Sequence, residues 1–200
     1  MSSRSEGKVI FFATNNINKF NEARGELAKQ KITVAMIRVK TLEIQSESLE
    51  EIAKTSALDA YKRCELPIIV EDAGLFIEAL NGFPGPYSSY VYKTIGNIGL
   101  LRLMEKLEDR RAVFRSVLAF CSSDFATPVC FSGKVDGEIT QEERRRKDKA
   151  SFGFDPIFKP ENSTKTFAEM SITEKNRFSH RAKALREFAK WYKSLGKSKG

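Results

Sequence analysis

The chain is 200 residues long, 41% hydrophobic and 30% charged, with twelve glycines and six prolines, a composition that excludes disordered, collagen-like and disulfide-scaffold classes. At about 150 residues per domain one domain over residues 1–200 is expected, with 1–7 and 196–200 as tails, and roughly 70% of the extended-chain surface can be buried without staples. The net charge of +8 resides between Lys175 and Gly200, where nine lysines and arginines face the single acid Glu187; its sign alone does not separate nucleic acid, a membrane surface and a nucleotide as partners.

Val9 to Ala13 is a short apolar run that suits a buried first strand. It and Val117 to Cys121 are the longest apolar runs, far below the ~20 residues needed to cross a bilayer. MSSRSEGK has no apolar segment behind its charges, so a cytoplasmic location without membrane partners is expected. A helix is expected over Asn18 to Lys29 and a second strand over Thr33 to Val39. Ser48-Leu49-Glu50-Glu51 has the spacing of a capping box, and Leu49, Ile52, Ala53, Ala57, Ala60, Tyr61 and Cys64 then mark an amphipathic helix ending before Pro67.

Ile68 to Val70 reads as a buried strand running into Glu71-Asp72, and Leu75 to Leu80 as a further strand. Turn residues crowd Asn81 to Pro86. Helical patterns cover Ser88 to Ile95 and Ile98 to Leu107. Ala112 to Cys121 and Pro128 to Ile139 form a strand pair linked near Asp124. The closing helix, Ser179 to Leu195, carries Ala182, Leu185, Phe188, Ala189 and Tyr192 on one face. Strands interleaved with helices imply an α/β fold around one central sheet. The three cysteines, Cys64, Cys121 and Cys130, read as buried thiols, and Arg144 to Lys149 as a solvated basic loop.

The single histidine, His180, cannot build an H-E-x-x-H zinc site. Trp191 stands where a phosphate-binding G-x-x-x-x-G-K-[ST] loop ending at Ser198 needs its first glycine, and no G-x-G-x-x-G occurs. The remaining chemistry is oxygen-rich. Glu71-Asp72 at a strand end either lines a ligand crevice or is a solvated strand exit or helix cap. Ala13 to Lys19 joins first strand to first helix, where amides, Thr, Asn and Lys can hold phosphate or form an ordinary cap.

Four motifs stand in order along the chain: T-x-N-x-x-K at Thr14, Asn16 and Lys19; E-D-x-G-L from Glu71, followed by G-x-P-G-x-Y from Gly82; S-F-G-F-D-P-I-F from Ser151; and A-E-M-x-x-x-E-K-N-x-x-S-H-R from Ala168 to Arg181. Together they resemble the inosine/xanthosine triphosphate pyrophosphatase family over residues 8 to 193. The resemblance implies a mixed, twisted sheet flanked by helices, two lobes with the active-site cleft between them, a homodimer, and magnesium-dependent hydrolysis of 6-oxopurine triphosphates to monophosphate and pyrophosphate. It implies that Thr14, Asn16 and Lys19 hold the phosphates, that Glu43, Glu71 and Asp72 surround Mg²⁺, and that Asp72 is the base with Lys19 assisting departure.

At the base end Phe152 and Phe154 can stack on a purine or pack in the core, and Asp155 can accept hydrogen bonds. Lys175, Ser179, His180 and Arg181 gather at the start of the last helix, where cations oppose the dipole. A donor array there would match a 6-oxo acceptor and mismatch adenine's amino group. Ser56, Ser88 and Ser89 stand where many members carry a basic residue. The competing readings are a same-fold hydrolase of different base preference and a nucleic-acid binder using the basic tail.

Overall fold

The protein, seen as a computed structural model, is described over residues 9–146 and 152–197. Lys147, Lys149, Ser151 and the terminal stretches 1–8 and 198–200 lie outside the described residues. Gly196 and Lys197, expected in a tail, belong to the last helix.

The elements follow as β1 (Ile10–Ala13), α1 (Ile17–Lys29), β2 (Val34–Ile37), α2 (Leu49–Cys64), β3 (Ile68–Ile77), β4 (Pro84–Gly85), α3 (Ser88–Thr94), α4 (Gly96–Leu103), β5 (Arg111–Cys121), β6 (Val129–Ile139), β7 (Phe158–Pro160), α5 (Ile172–Phe178) and α6 (His180–Lys197). Seven strands form one mixed sheet in the order β2-β1-β3-β5-β6-β7, with β4 added beside β3. β1 runs parallel to β2 and β3, and the remaining ladders are antiparallel.

Alternation along the strands separates the two faces. Ile69, Leu118 and Phe120 pack with Phe20 and Leu27 of α1 and Leu185 and Phe188 of α6. Val70, Val117 and Ala119 pack with Ala53, Ala57 and Ala60 of α2 on the other face. Beyond them Leu75, Ile77, Phe114 and Val135 bury Val91, Leu100, Ile157 and Phe167 in a second centre. The first two of these apolar clusters lie toward one end of the long strands β3 and β5 and the third toward the other.

Two expectations change. The segment read as two strands around Glu71-Asp72 is one ten-residue strand, paired with β5 from Ile68 through Ile77; residues 78–80 form a 3-10 turn. Burial of β3 between two layers lets charged residues sit mid-strand, which no alternation rule announces. The capping box at Ser48 is only half made: Ser48 Oγ accepts from the Glu51 amide at 3.3 Å, while the Glu51 carboxylate turns to Ser46 Oγ at 2.7 Å.

Candidate active site

β1 pairs with β3 only through Phe11 and Phe12 and ends at Ala13, whereas β3 continues for eight residues past Ile69. The missing half-strand opens the sheet beside Glu71 and Asp72. A cleft of about 870 Å³ fills the gap, lined among others by Thr14, Asn16, Lys19, Glu43, Glu71, Asp72, Phe152, Phe154, Asp155, Lys175, His180 and Arg181. Residues from both halves of the chain therefore meet where β1 stops.

Successive strand residues face opposite sides, so Glu71 and Asp72 have different surroundings. Glu71 shares the α1/α6 side with Ile69. Its Oε1 accepts from Ser116 Oγ at 2.6 Å and Arg181 Nε at 3.1 Å, and its Oε2 lies 2.9 Å from Lys19 Nζ. Burial alone would raise its carboxyl, but Arg181 and Lys19 outweigh that and hold it far below the usual range. Asp72 lies on the α2 side, and its Oδ2 is buried without a partner. Burial pushes its carboxyl up to about 6; Lys19 opposes this, and the neighbouring charges of Glu71 and Glu43 add to it.

Thr14 and Asn16 build the turn itself. Thr14 Oγ1 accepts from the Asn16 amide at 3.1 Å, and Asn16 Oδ1 caps α1 by accepting from Asn18 and Lys19 at 3.0 and 3.2 Å. Those three amides are already engaged, while the Asn15 side chain, the Asn16 side-chain NH2 and Lys19 are further polar groups that the turn brings to the cleft. Across from it, the segment bearing Glu43 is pinned to α2 by Leu42. Its amide donates to Asp59 at 2.8 Å and its carbonyl accepts from the buried Ser56 hydroxyl at 3.0 Å. Ser56 thus anchors the backbone just before Glu43.

Beside Phe152 and Asp155 of the cleft lining runs a buried ionic network. Lys175 Nζ donates to Glu22 Oε1 at 2.7 Å and Asp155 Oδ2 at 2.6 Å, and Arg181 Nη1 donates to Glu22 Oε2. Burial would raise Glu22, yet Arg181 and Lys175 bring it down to about 2. With Glu71 and Lys19 the network holds three cations and three carboxylates. Glu22 is the member of this network that sequence reasoning misses: it sits on α1, more than 150 positions from its partners.

The closing helix expected over Ser179 to Leu195 is α6, and a separate short helix, α5, precedes it. Lys175 lies in the last turn of α5, where the dipole favours a cation, and only Arg181 sits at the start of α6, compensated by Glu22 and Glu71. A complete Ser171/Glu174 capping box starts α5; its S-x-x-E spacing is legible in the sequence. Ser179 is fully buried and outside the cleft lining; its Oγ accepts from the Ala182 amide at 3.3 Å. His180 stacks on Phe114, ring centres 4.7 Å apart. Burial first, then Arg181, keeps its imidazole neutral, far below the usual histidine range, with Nδ1 unpartnered.

Phe152 lies under the Lys175 ammonium, 5.7 Å from the ring centre. Phe154 is a core side chain, 4% exposed, set edge-on to Tyr92. Gly153 between them holds φ +54, and Asn97 of α4 donates to its carbonyl at 3.3 Å. Arg144, expected to be solvated, instead braces this region through Thr164 O and Glu169.

The Ham1 family profile matches residues 10–191 of the chain. The chain belongs to the Ham1 family. Proteins named dITP/XTP pyrophosphatase from Methanopyrus kandleri and Hyperthermus butylicus are each 50% identical to this Ham1 chain, over 92% and 96% of it and 96% and 98% of their own lengths. The solved HAM1 protein of Coxiella burnetii superposes with a TM-score of 0.80 at 30% identity, covering 94% of this chain and 99% of its own. The Staphylococcus aureus Ham1 protein does so at 0.78 and 29%, covering 94% and 100%. Family and fold thus agree with the order of motifs along the Ham1 chain.

Proposed function

We propose that this Ham1 chain hydrolyses non-standard purine nucleoside triphosphates, such as dITP, ITP and XTP, to the monophosphate and pyrophosphate. The single observation that carries the mechanism is Asp72: a cleft carboxylate whose Oδ2 is buried without a partner and so is open to accept a proton from water. Asp72 removes a proton from the water attacking the α-phosphorus; the bond from that phosphorus to the bridging oxygen breaks, and pyrophosphate leaves. Lys19, 2.9 Å from Glu71, meets the charge developing on the departing group.

The cleft lining balances four cations, Lys19, Lys93, Lys175 and Arg181, with four carboxylates, Glu43, Glu71, Asp72 and Asp155. A polyanion entering it needs a counter-charge, and Glu43 and Asp72 fit a hard divalent ion. Among the described residues no group of three or more ligating side chains is preassembled, as expected where Mg²⁺ takes one or two carboxylates plus phosphate oxygens and water. Glu71, whose oxygens already meet Ser116, Arg181 and Lys19, then serves to orient those two cations. Mg²⁺ bound there supplies neutralisation of the phosphates and polarisation of the phosphoryl oxygen.

At the other end Lys175 and Arg181, fixed by Glu22, present donors that favour a 6-oxo acceptor. An adenine amino group meeting them leaves buried donors unpaired, at about 1 to 3 kcal/mol each. Exposed Tyr90, Ile98 and Leu103 on α3 and α4 support a homodimer, and the three free thiols support a cytoplasmic setting. No helix of the described residues is long and apolar enough to cross a membrane.

Product analysis with dITP and ATP tests the reading: monophosphate plus pyrophosphate from dITP, with ATP far slower, is expected, and equal turnover of ATP refutes the base preference. Asp72→Asn should bind nucleotide but lose about 10²- to 10⁴-fold in kcat. Preserved turnover would remove Asp72 from its role. Sedimentation should give twice the 22.6 kDa chain mass.

A further inference from the structure

We infer that Lys93 of α3 is a binding residue for the polyphosphate end of the substrate, a role that rests on the pyrophosphatase reading above. Three of the four cations lining the cleft are committed. Lys19 is paired with Glu71 at 2.9 Å and also donates to its carbonyl at 3.1 Å. Lys175 is held between Glu22 and Asp155, and Arg181 between Glu22 and Glu71. Lys175 and Arg181 are 4% and 2% exposed, and drawing either from its carboxylates would strand a buried charge. Part of each cation's charge and hydrogen-bonding capacity is thus engaged before any ligand arrives, and only the remainder serves the roles given above.

Lys93 differs in each respect. It lines the same cleft, is exposed, and is the one lining cation with no carboxylate partner among the described residues. Ser89 and Lys93 both line the cleft and are four residues apart on α3, so they share one helix face. That face is rigidly placed: the buried Ser88 hydroxyl accepts from the Leu75 amide at 2.8 Å and donates to the Gly85 carbonyl at 2.7 Å, and Val91 is buried in the core beneath. Leu75 lies three residues beyond Asp72 on β3. A fixed helix thus carries a flexible four-carbon stem and a free ammonium on the wall of the gap into which Asp72 opens. Phosphate oxygens accept strong charge-assisted hydrogen bonds from such a group, and no internal ion pair must be broken to make them.

The probe is inorganic tripolyphosphate, which has the phosphate chain and no base, titrated calorimetrically into the full chain with Mg²⁺ present. Lys93→Gln should weaken its binding about 10-fold and raise KM for dITP in parallel, with the thermal midpoint unchanged because the side chain is exposed. Lys93→Arg, which keeps the charge, should stay within about threefold of the wild type. Unchanged tripolyphosphate affinity in Lys93→Gln, or an equal loss in Lys93→Arg, would overturn the assignment. A wild-type protein that binds tripolyphosphate through Lys93 but does not cleave dITP would refute the pyrophosphatase reading and leave Lys93 standing, so the two failures are separable.

Discussion

Asp72 is a largely buried carboxylate with no cation of its own, and its ionisation opposes folding. In the unfolded chain it titrates near 3.8 and in the folded chain at about 6, so between those values the folded state binds the extra proton and stability falls as pH rises. Without divalent metal, Asp72→Asn should therefore be more stable than the wild type at pH 7 by about 2 to 3 kcal/mol, since each tenfold change in proton affinity is worth about 1.4 kcal/mol. The advantage should vanish as pH falls from about 6 to about 4. Thermal melts of both proteins in chelator across that range check it; equal midpoints at neutral pH would show that Asp72 is not strained by burial. Asp72 is legible in the sequence because it belongs to a motif. Glu22 is not, because an acid on an amphipathic helix reads as surface until Lys175 and Arg181 are folded onto it.

At the scale of elements, the contact that places His180 and Arg181 in the cleft is the packing of α6 on β6. A Cβ added at Gly133 would lie 2.1 Å from the His180 carbonyl oxygen and 2.7 Å from the Ala184 amide nitrogen. Both are backbone atoms, so no rotamer change relieves the clash. Gly133→Ala should push the start of α6 outward, carrying His180 and Arg181, and cost about 1–3 kcal/mol or more. A melting temperature lower by roughly 2–4 °C per kcal/mol, together with a reduced dITP-to-ATP ratio of kcat/KM, is the expected result; an unchanged ratio would detach α6 placement from base selection. Element identities are largely readable, since α1, α2, β5, β6 and α6 carry long, regular patterns. α5 has seven residues and β7 three, too few for a period to emerge, and β3 hides its continuity behind the charges of Glu71 and Asp72.

Across the whole molecule, five of the nine cations between Lys175 and Gly200 are engaged within the fold. Lys175 and Arg181 are neutralised by Glu22, Asp155 and Glu71, Arg186 reaches Glu26 at 3.0 Å, Lys183 donates to the Lys134 carbonyl and Lys193 to Gln30. α1 and α6 are thus joined by charge as well as by Phe20, Leu27, Leu185 and Phe188. Glu22, at about 2 when folded, and Glu71, held lower still, titrate near 4.5 when unfolded. Their folded values are depressed, so they stabilise the fold above pH 4.5 and lose that contribution as pH falls toward 2. Urea unfolding should show a steep loss of stability below about pH 4.5 that roughly 0.5 M salt changes little, because buried pairs are poorly screened. A gradual, strongly salt-sensitive decline would mean surface charge governs acid unfolding instead.

The residues alone determined the α/β class, the polar turn after β1, the carboxylate pair at 71 and 72, and the motifs that mark the family; Glu43 came only with the family resemblance. Short-range periodicity and side-chain chemistry carry that information along the chain. Which of those carboxylates keeps a free oxygen, which lysine keeps a free charge, and how Ser56, Asn97 and Glu22 hold the site were decided only by tertiary structure. The reason is that partnership between charges depends on distance in space and on loss of water around them. Glu22 meets Arg181 across 159 positions of sequence, and Lys93 meets no acid at all among the described residues.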